Sequence, residues 1–253
     1  MSKIGNVIEA VKLLQNWPLY FADRLRLVRG RYIVYVLRDG TRYRLRPNGM
    51  DRIILHEVWV RKIYTPSGFE VRDNSVVVDI GAQVGMFTIF AAKQAGNGKV
   101  YAFEPEPENF ELLRQNIELN GAANVIPAKK AVSERKGRAT LFICKDNSGG
   151  HSLYGAENGA KIEVQTVSLK DIFEDNGLAK IDFLKMDCEG AEYGILLNCP
   201  DSILGRISRI SMEYHNIDNK KNVSSLKKFL AGKGFEVKTK AFDDIVGMIY
   251  AKR

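Results

Sequence analysis

Hydrophobic positions recur with two different periods along the chain, and the change of period divides it. Near the N-terminus, Ile4, Val7, Ile8, Val11 and Leu14 follow helical spacing, and Pro18 interrupts that helix or starts another turn. Tyr32-Ile-Val-Tyr-Val36 and Thr41-Arg-Tyr-Arg-Leu45 then flank Arg38-Asp39-Gly40, an Asp-Gly signal for a hairpin. Residues 51–64 return to helical spacing. From Ser75 the texture changes. Val76-Val-Val-Asp-Ile80 is short, continuously apolar and β-branched, as expected of a strand buried on both faces. A glycine turn and a helix over 86–94 follow, then a strand over 100–103 and a helix over 108–120. Further strands are expected over 125–132, 181–186 and 207–214, with helices over 167–176 and 192–197. This alternation predicts an α/β fold with a doubly wound, mostly parallel sheet. The runs 235–239 and 245–250 predict a terminal antiparallel hairpin. The expected division is an N-terminal helix and β-hairpin extension over 1–70 and an α/β domain over 71–253.

Composition adds limits. With 45% hydrophobic residues in 253, the chain can bury a full core and is neither disordered nor fibrous. No run approaches the ~20 apolar residues of a spanning helix, and the N-terminus has no secretory apolar block, so a soluble, cytoplasmic protein is expected. Three cysteines at Cys144, Cys188 and Cys199 lack paired short spacing and read as reduced thiols. The net charge of +8 is uneven: residues 20–62 hold eleven bases against four acids, or 11 − 4 = +7. An anionic partner would suit that segment, although alternating arginines are also what a solvated strand face carries.

Two local signals point to a cofactor. Asp79-Ile-Gly81-Ala-Gln-Val-Gly85 ends the first core strand and enters a helix. Gly81 lets the turn approach a ligand, and Gly85 packs closely at the helix start. The segment differs from a dinucleotide fingerprint, because position 83 is Gln and the acid precedes the first glycine. Glu104 closes the next strand, where a carboxylate can accept both hydroxyls of a ribose, and Pro105 stops that strand. Singly, each has an ordinary reading: a tight βα connection, a solvated loop acid. Together they favour an adenosine cofactor.

These residues resemble the FkbM family of S-adenosylmethionine-dependent methyltransferases. The likeness rests on 77–85, on Ala102-Phe-Glu-Pro105, Asn116-Ile-Glu-Leu-Asn120 and Ala131-Val-Ser133, and above all on Ile181-Asp-Phe-Leu-Lys-Met-Asp-Cys-Glu-Gly-Ala-Glu192. Gln83 stands where the family usually has Asn. The resemblance implies a Rossmann-like class I methyltransferase sandwich: a mostly parallel seven-stranded sheet closed by a C-terminal antiparallel hairpin. It implies S-adenosyl-L-methionine as cofactor and O-methylation of a sugar, glycan or other small metabolite. Asp79, Gly81 and Gly85 would shape the methionine end and Glu104 would hold the ribose. Ala131 and Val132 would lie near the adenine, Ala82 and Pro105 would complete the cofactor set, and Asp187 would sit near the methyl.

Methyl transfer to a neutral hydroxyl needs alignment and a proton acceptor. Asp187 and Glu189 emerge at the C-terminal edge of the sheet, and His215 ends the next strand with Glu213 on its face. His215 or Asp187 is expected to accept the proton, with Glu189 orienting the hydroxyl. Glu189 and Glu192 would also suit a helix start, and His215 a cap or solvent. The glycine-rich stretch 147–154 suits a mobile loop or an ordinary surface one, with His151 and Ser152 near the acceptor. Met86, Phe87 and Phe90 read as core. His56, His151 and His215 share no short spacing, so no metal cluster is evident, while activation of the hydroxyl by magnesium stays open.

Two rivals remain. An RNA methyltransferase of this fold would use the basic segment on phosphates and stack bases on Tyr32, Tyr35 and Tyr43. Against it, the amine-methylating Asn-Pro-Pro-Tyr block is missing, and Cys188 lacks the preceding proline of a cytosine nucleophile. A non-catalytic nucleotide-binding scaffold would lack a use for Asp79, Glu104 and Asp187 together. The acceptor and the oligomeric state are not encoded legibly.

Overall fold

The computed structural model describes residues 3–143 (side chains from residue 8), 152–153 and 160–253. Cys144, His151 and most of the expected loop 147–154 lie outside the described residues. The chain begins with α1 (Lys3–Leu13) and α2 (Trp17–Arg24). Pro18 lies in the first turn of α2, where its missing N–H leaves no helical bond broken. The hairpin follows as β1 (Ile33–Val36) and β2 (Arg42–Leu45), with Val36 opposite Arg42. Next, α3 (Asp51–Trp59) stops five residues short of the expected end, and Lys62 turns the chain through a φ of 49°.

The sheet starts at β3 (Val76–Ile80), followed by α4 (Met86–Ala95), β4 (Lys99–Phe103), α5 (Pro107–Leu119) and β5 (Val125–Ala128). The strand expected over 125–132 is split. Its second part, β6 (Ala131–Val132), leaves the main sheet for a small one with β7 (Gly137–Ile143) and β8 (Ala160–Val167), ordered β6-β8-β7. The chain continues through α6 (Leu169–Asp175), β9 (Phe183–Met186), α7 (Glu192–Leu197), α8 (Asp201–Leu204) and β10 (Arg209–His215). It closes with α9 (Val223–Gly232), β11 (Glu236–Ala241) and β12 (Val246–Lys252). The seven-stranded sheet has the order β11-β12-β10-β9-β3-β4-β5. Its strands β10, β9, β3, β4 and β5 pair in parallel, while β12 slots antiparallel between β10 and β11. The seven-stranded, mostly parallel sheet with a terminal antiparallel hairpin is therefore as expected.

Successive residues of each central strand enter opposite cores. Val77 and Phe183 face one with α4; Val78 and Leu184 face the other with α6, α7 and α9. Each such buried side chain contributes about 1.5–3 kcal/mol. Helix α4 is buried nearly all round, because the sheet covers one side and the N-terminal segment the other. Trp59 meets Phe90 edge-on at 5.1 Å, and the Tyr43 hydroxyl donates to the Met86 carbonyl at 3.1 Å. Phe90 belongs to this core, as the sequence suggests.

Amide side chains of α5 clamp the hairpin. Asn116 accepts the Arg44 N–H at 2.7 Å and donates to the Arg44 and Val84 carbonyls at 3.1 and 2.8 Å. Asn120 likewise accepts the Arg42 N–H and donates to its carbonyl. The Asn116–Asn120 block thus supplies the edge strand β2 with peptide-like partners. Several arginines are also spent internally. Arg46 forms a two-bond pair with Asp51, and Arg52 meets buried Asp23 at 3.2 Å. Tyr35 donates to Asp23 at 2.7 Å, and Tyr35 and Tyr43 are fully buried. The expectation that both rings could stack on bases is corrected: a ring closed into the core has no free face. Among the described residues, no helix is long and apolar enough to cross a membrane.

Candidate functional site

The C-terminal ends of β3, β4 and β9 surround a cavity of about 220 Å³. The turn after β3 forms its floor. Gly81 takes a φ of +72°, and a Cβ there would fall 1.8 Å from the Asp187 carbonyl oxygen. Only glycine allows this approach of the β3 turn to β9. Gly85, with a φ of +90°, would bring a Cβ 2.7 Å from the Leu113 side chain; it seats α4 on α5 and does not line the cavity. Gln83 also has a positive φ, 51°, a conformation that Asn adopts more readily. Its backbone N–H donates to Glu104 at 2.8 Å.

Glu104 is 5% exposed and lines the cavity, accepting the backbone N–H of Gln83 on one oxygen and of Glu106 on the other. Burial pushes its carboxyl up to about 7, against the pull of those two N–H groups. Ala82, Pro105, Ala131 and Val132 line the same end, with Phe103 and Leu141 making its apolar walls. Asp79 does not line the cavity. It lies fully buried beneath, accepting the Thr88 hydroxyl at 2.6 Å and paired with Lys185 at 3.1 Å. Lys185 does reach the cavity: its Nζ donates to the Gly81 carbonyl at 2.7 Å and lies 4.0 Å from Asp187. Burial acts to lower the Lys185 pKa, but Asp79 and Asp187 outweigh it and hold the ammonium charged.

At the other end, Asp187 follows β9 and accepts the Tyr64 hydroxyl at 2.7 Å. Glu189, Glu213 and Asp187 line the cavity, and His215 stands just behind them. The His215 Nε2 is 3.2 Å from Glu189 and 3.5 Å from Glu213, while Nδ1 lies 3.1 Å from Glu192. Burial disfavours the imidazolium, yet these three carboxylates push the His215 pKa up to about 12. That shift favours the protonated imidazole, a form with no lone pair to accept a substrate proton. Burial, with Asp187 nearby, lifts the Glu213 carboxyl to about 7, against the pull of His215. Ligand atoms of Glu189, Glu213 and His215 lie within 4.8 Å of one another, a spacing that a metal ion could also bridge.

Glu192 does more than start α7. Fully buried, it accepts the backbone N–H groups of Gly190 and His215 at 2.9 and 2.8 Å and so ties the β9 loop to β10. Burial and Glu192 push the Cys188 thiol well up, which suits a structural thiol. The Ser152 hydroxyl donates to the Glu189 carbonyl.

Several site residues carried no local motif. Met50, Ile54, Glu57 and Val58 of the N-terminal segment form a cavity wall with Tyr64, and burial raises the Glu57 carboxyl. Met86 and Phe87, expected only in the core, also line the cavity. Lys185 did leave a signal, a lone charge in the buried run Phe183-Leu-Lys-Met186.

The lining fits S-adenosylmethionine by its chemistry. Glu104 offers acceptors for two ribose hydroxyls, and the small apolar residues beside it suit an adenine face. Gln83 adds a buried side-chain N–H that meets no acceptor among the described residues.

Residues 79–245 match the model of the methyltransferase FkbM domain. The chain is 29% identical over 219 residues to the 31-O-demethyl-FK506 methyltransferase FkbM of Streptomyces tacrolimicus, covering 75% of this chain and 83% of that one. It is 24% identical over 157 residues to the hexuronic acid methyltransferase AglP of Haloferax volcanii, covering 62% and 63%. Among solved structures, a precorrin-6y C5,15-methyltransferase of Geobacter metallireducens superposes with a TM-score of 0.48 at 18% identity, covering 77% of this chain and 87% of that chain. With more than half of its length matched, from Asp79 in β3 to Ile245 just before β12, the chain belongs to the FkbM family of S-adenosylmethionine-dependent methyltransferases.

Proposed function

We propose that this methyltransferase acts on oxygen, methylating a hydroxyl of a sugar, glycan or other small metabolite. The observation that carries this reading is the carboxylate cluster of Asp187, Glu189 and Glu213 along one end of the cavity. A neutral hydroxyl must lose its proton as the new C–O bond forms, and these side chains can accept it. The relatives named for 31-O-demethyl-FK506 and for a hexuronic acid support an oxygen acceptor on a small molecule or sugar.

The cofactor, once bound, supplies an activated methyl group on a sulfonium. Glu104 would accept the ribose hydroxyls, Ala131 and Val132 would hold the adenine, and Gly81, Ala82, Gln83 and Pro105 would shape the channel between. Asp79 acts through Lys185, whose ammonium sits beside the Gly81 carbonyl at the methionine end. Asp187 is the proton acceptor, held in place by the Tyr64 hydroxyl. Glu189 orients the acceptor hydroxyl, while His215 keeps Glu189 and Glu213 from repelling each other. The N-terminal segment 1–70 supplies α3 as the wall over the acceptor. Near-attack alignment supplies about 7–11 kcal/mol, and a positioned base about 10²–10⁴-fold more.

The test is transfer of labelled methyl from S-adenosylmethionine into fractionated cell extract, with wild type and Asp187→Asn. Base-stable, ribonuclease-insensitive label in the carbohydrate or small-molecule fraction, lost in Asp187→Asn, supports the reading. Ribonuclease-sensitive label overturns it in favour of RNA.

A further inference from the structure

The surface of α2 and the turn after it is unlike the rest of the basic segment. Trp17, Phe21 and Leu25 are spaced by four residues, so they share one face of this helix. Trp17 packs edge-on against Phe21 at 5.8 Å and is 39% exposed. Leu25 and Leu27 are each 67% exposed, higher than any other large hydrophobic side chain among the described residues. Arg26, with a φ of 57°, sits between them and turns the chain, and the Leu27 N–H closes back onto the Ala22 carbonyl. The two leucines therefore crown a tight, ordered bend.

The charges around this bend are uncommitted. Arg24, Arg26 and Arg29 form no ion pair among the described residues, whereas Arg31, Arg46, Arg52 and Arg61 do. Asp23 is the only acid between Trp17 and Arg31, and it is buried against Tyr35 and Arg52. An apolar ridge interleaved with free guanidinium groups has a specific complement. Aliphatic and indole side chains enter the acyl boundary of a bilayer while arginines meet lipid phosphates. A nucleic acid would leave Leu25 and Leu27 without a partner, and Tyr35 and Tyr43 are too buried to stack on it.

We propose that the ridge from Trp17 to Arg29 docks this protein on an anionic phospholipid surface. No residue of the ridge lines the cofactor cavity, so docking and cofactor binding are separate properties. The test is co-sedimentation of the full chain with vesicles of phosphatidylcholine alone and with roughly 30% phosphatidylglycerol, at about 0.1 M salt. Binding to the anionic vesicles at least about tenfold stronger than to the neutral ones is expected. Leu25→Ser/Leu27→Ser and Arg24→Gln/Arg29→Gln should each weaken it about tenfold, with S-adenosylhomocysteine binding unchanged as the folding control. Wild type left in the supernatant with both vesicles overturns the proposal. So does retention of full binding by the leucine variant, or tighter binding to a single-stranded RNA oligomer than to vesicles.

Discussion

At the Glu104 end of the cavity, two consecutive βα turns and the short β6 make the wall, and the one carboxylate accepts only backbone N–H groups. At the Asp187 end, segments from Tyr64, β9 and β10 converge, and acidic side chains outnumber Lys185 and His215. The first end is shaped for recognition by fit and hydrogen bonds. The second is an electrostatic assembly in which each charge is held by another. Such a division predicts that damage to one end should leave the other's property intact.

Gly81 lies where the two ends meet, so its substitution should produce the largest effect. In Gly81→Ala the new Cβ collides with the Asp187 carbonyl, costing on the order of 3 kcal/mol. Thermal unfolding should shift down, and both cofactor binding and turnover should fall together. Asp187→Asn keeps the shape and removes the proposed proton acceptor. Turnover should drop about 10²–10⁴-fold in a steady-state assay.

The pH dependence sharpens the contrast. Ionised Glu104 is the better partner for two ribose hydroxyls, and burial holds its carboxyl at about 7 before ligand binds. S-adenosylhomocysteine affinity should therefore rise as pH increases through about 7 and level off above it. In Glu104→Gln that rise should vanish. Stability runs the opposite way: a carboxyl raised from 4.5 to about 7 favours the fold while protonated, so this contribution fades as pH climbs through that window. A melting temperature that rose over the same interval would contradict the burial assigned to Glu104. The smallest expected effect is that of a chelator. If the cluster is held together by its own charges, turnover should not change; stimulation by a divalent ion would instead make Glu189, Glu213 and His215 its ligands.

The difference between the ends also explains what the sequence disclosed. Gly81, Ala82, Glu104 and Pro105 sit in contiguous turns whose residue types state their conformational needs. Buried strands such as 76–80 were equally plain, because a both-face burial demands an unbroken apolar run. By contrast, β8 carries the alternating pattern of a half-buried strand over 161–167, and Lys129-Lys130 interrupt the apolar run between β5 and β6, but the small sheet they belong to lies outside the strand–helix alternation that orders the other elements. Tyr64 reaches Asp187 across 123 positions, a contact that no local spacing encodes. The N-terminal wall was concealed in the same way, although the all-round apolar α4 was a clue that something must cover its outer side. His215 was legible as a position and not as a charge state, since three carboxylates from separate segments fix it.

The most direct test of the two-ended cavity is calorimetric titration of S-adenosylhomocysteine into wild type, Glu104→Gln and Asp187→Asn at about pH 8, above the Glu104 transition. Affinity should fall roughly tenfold or more in Glu104→Gln, which loses a charged acceptor, and stay within about threefold in Asp187→Asn. Equal losses in both variants, or a larger loss in Asp187→Asn, would contradict the account.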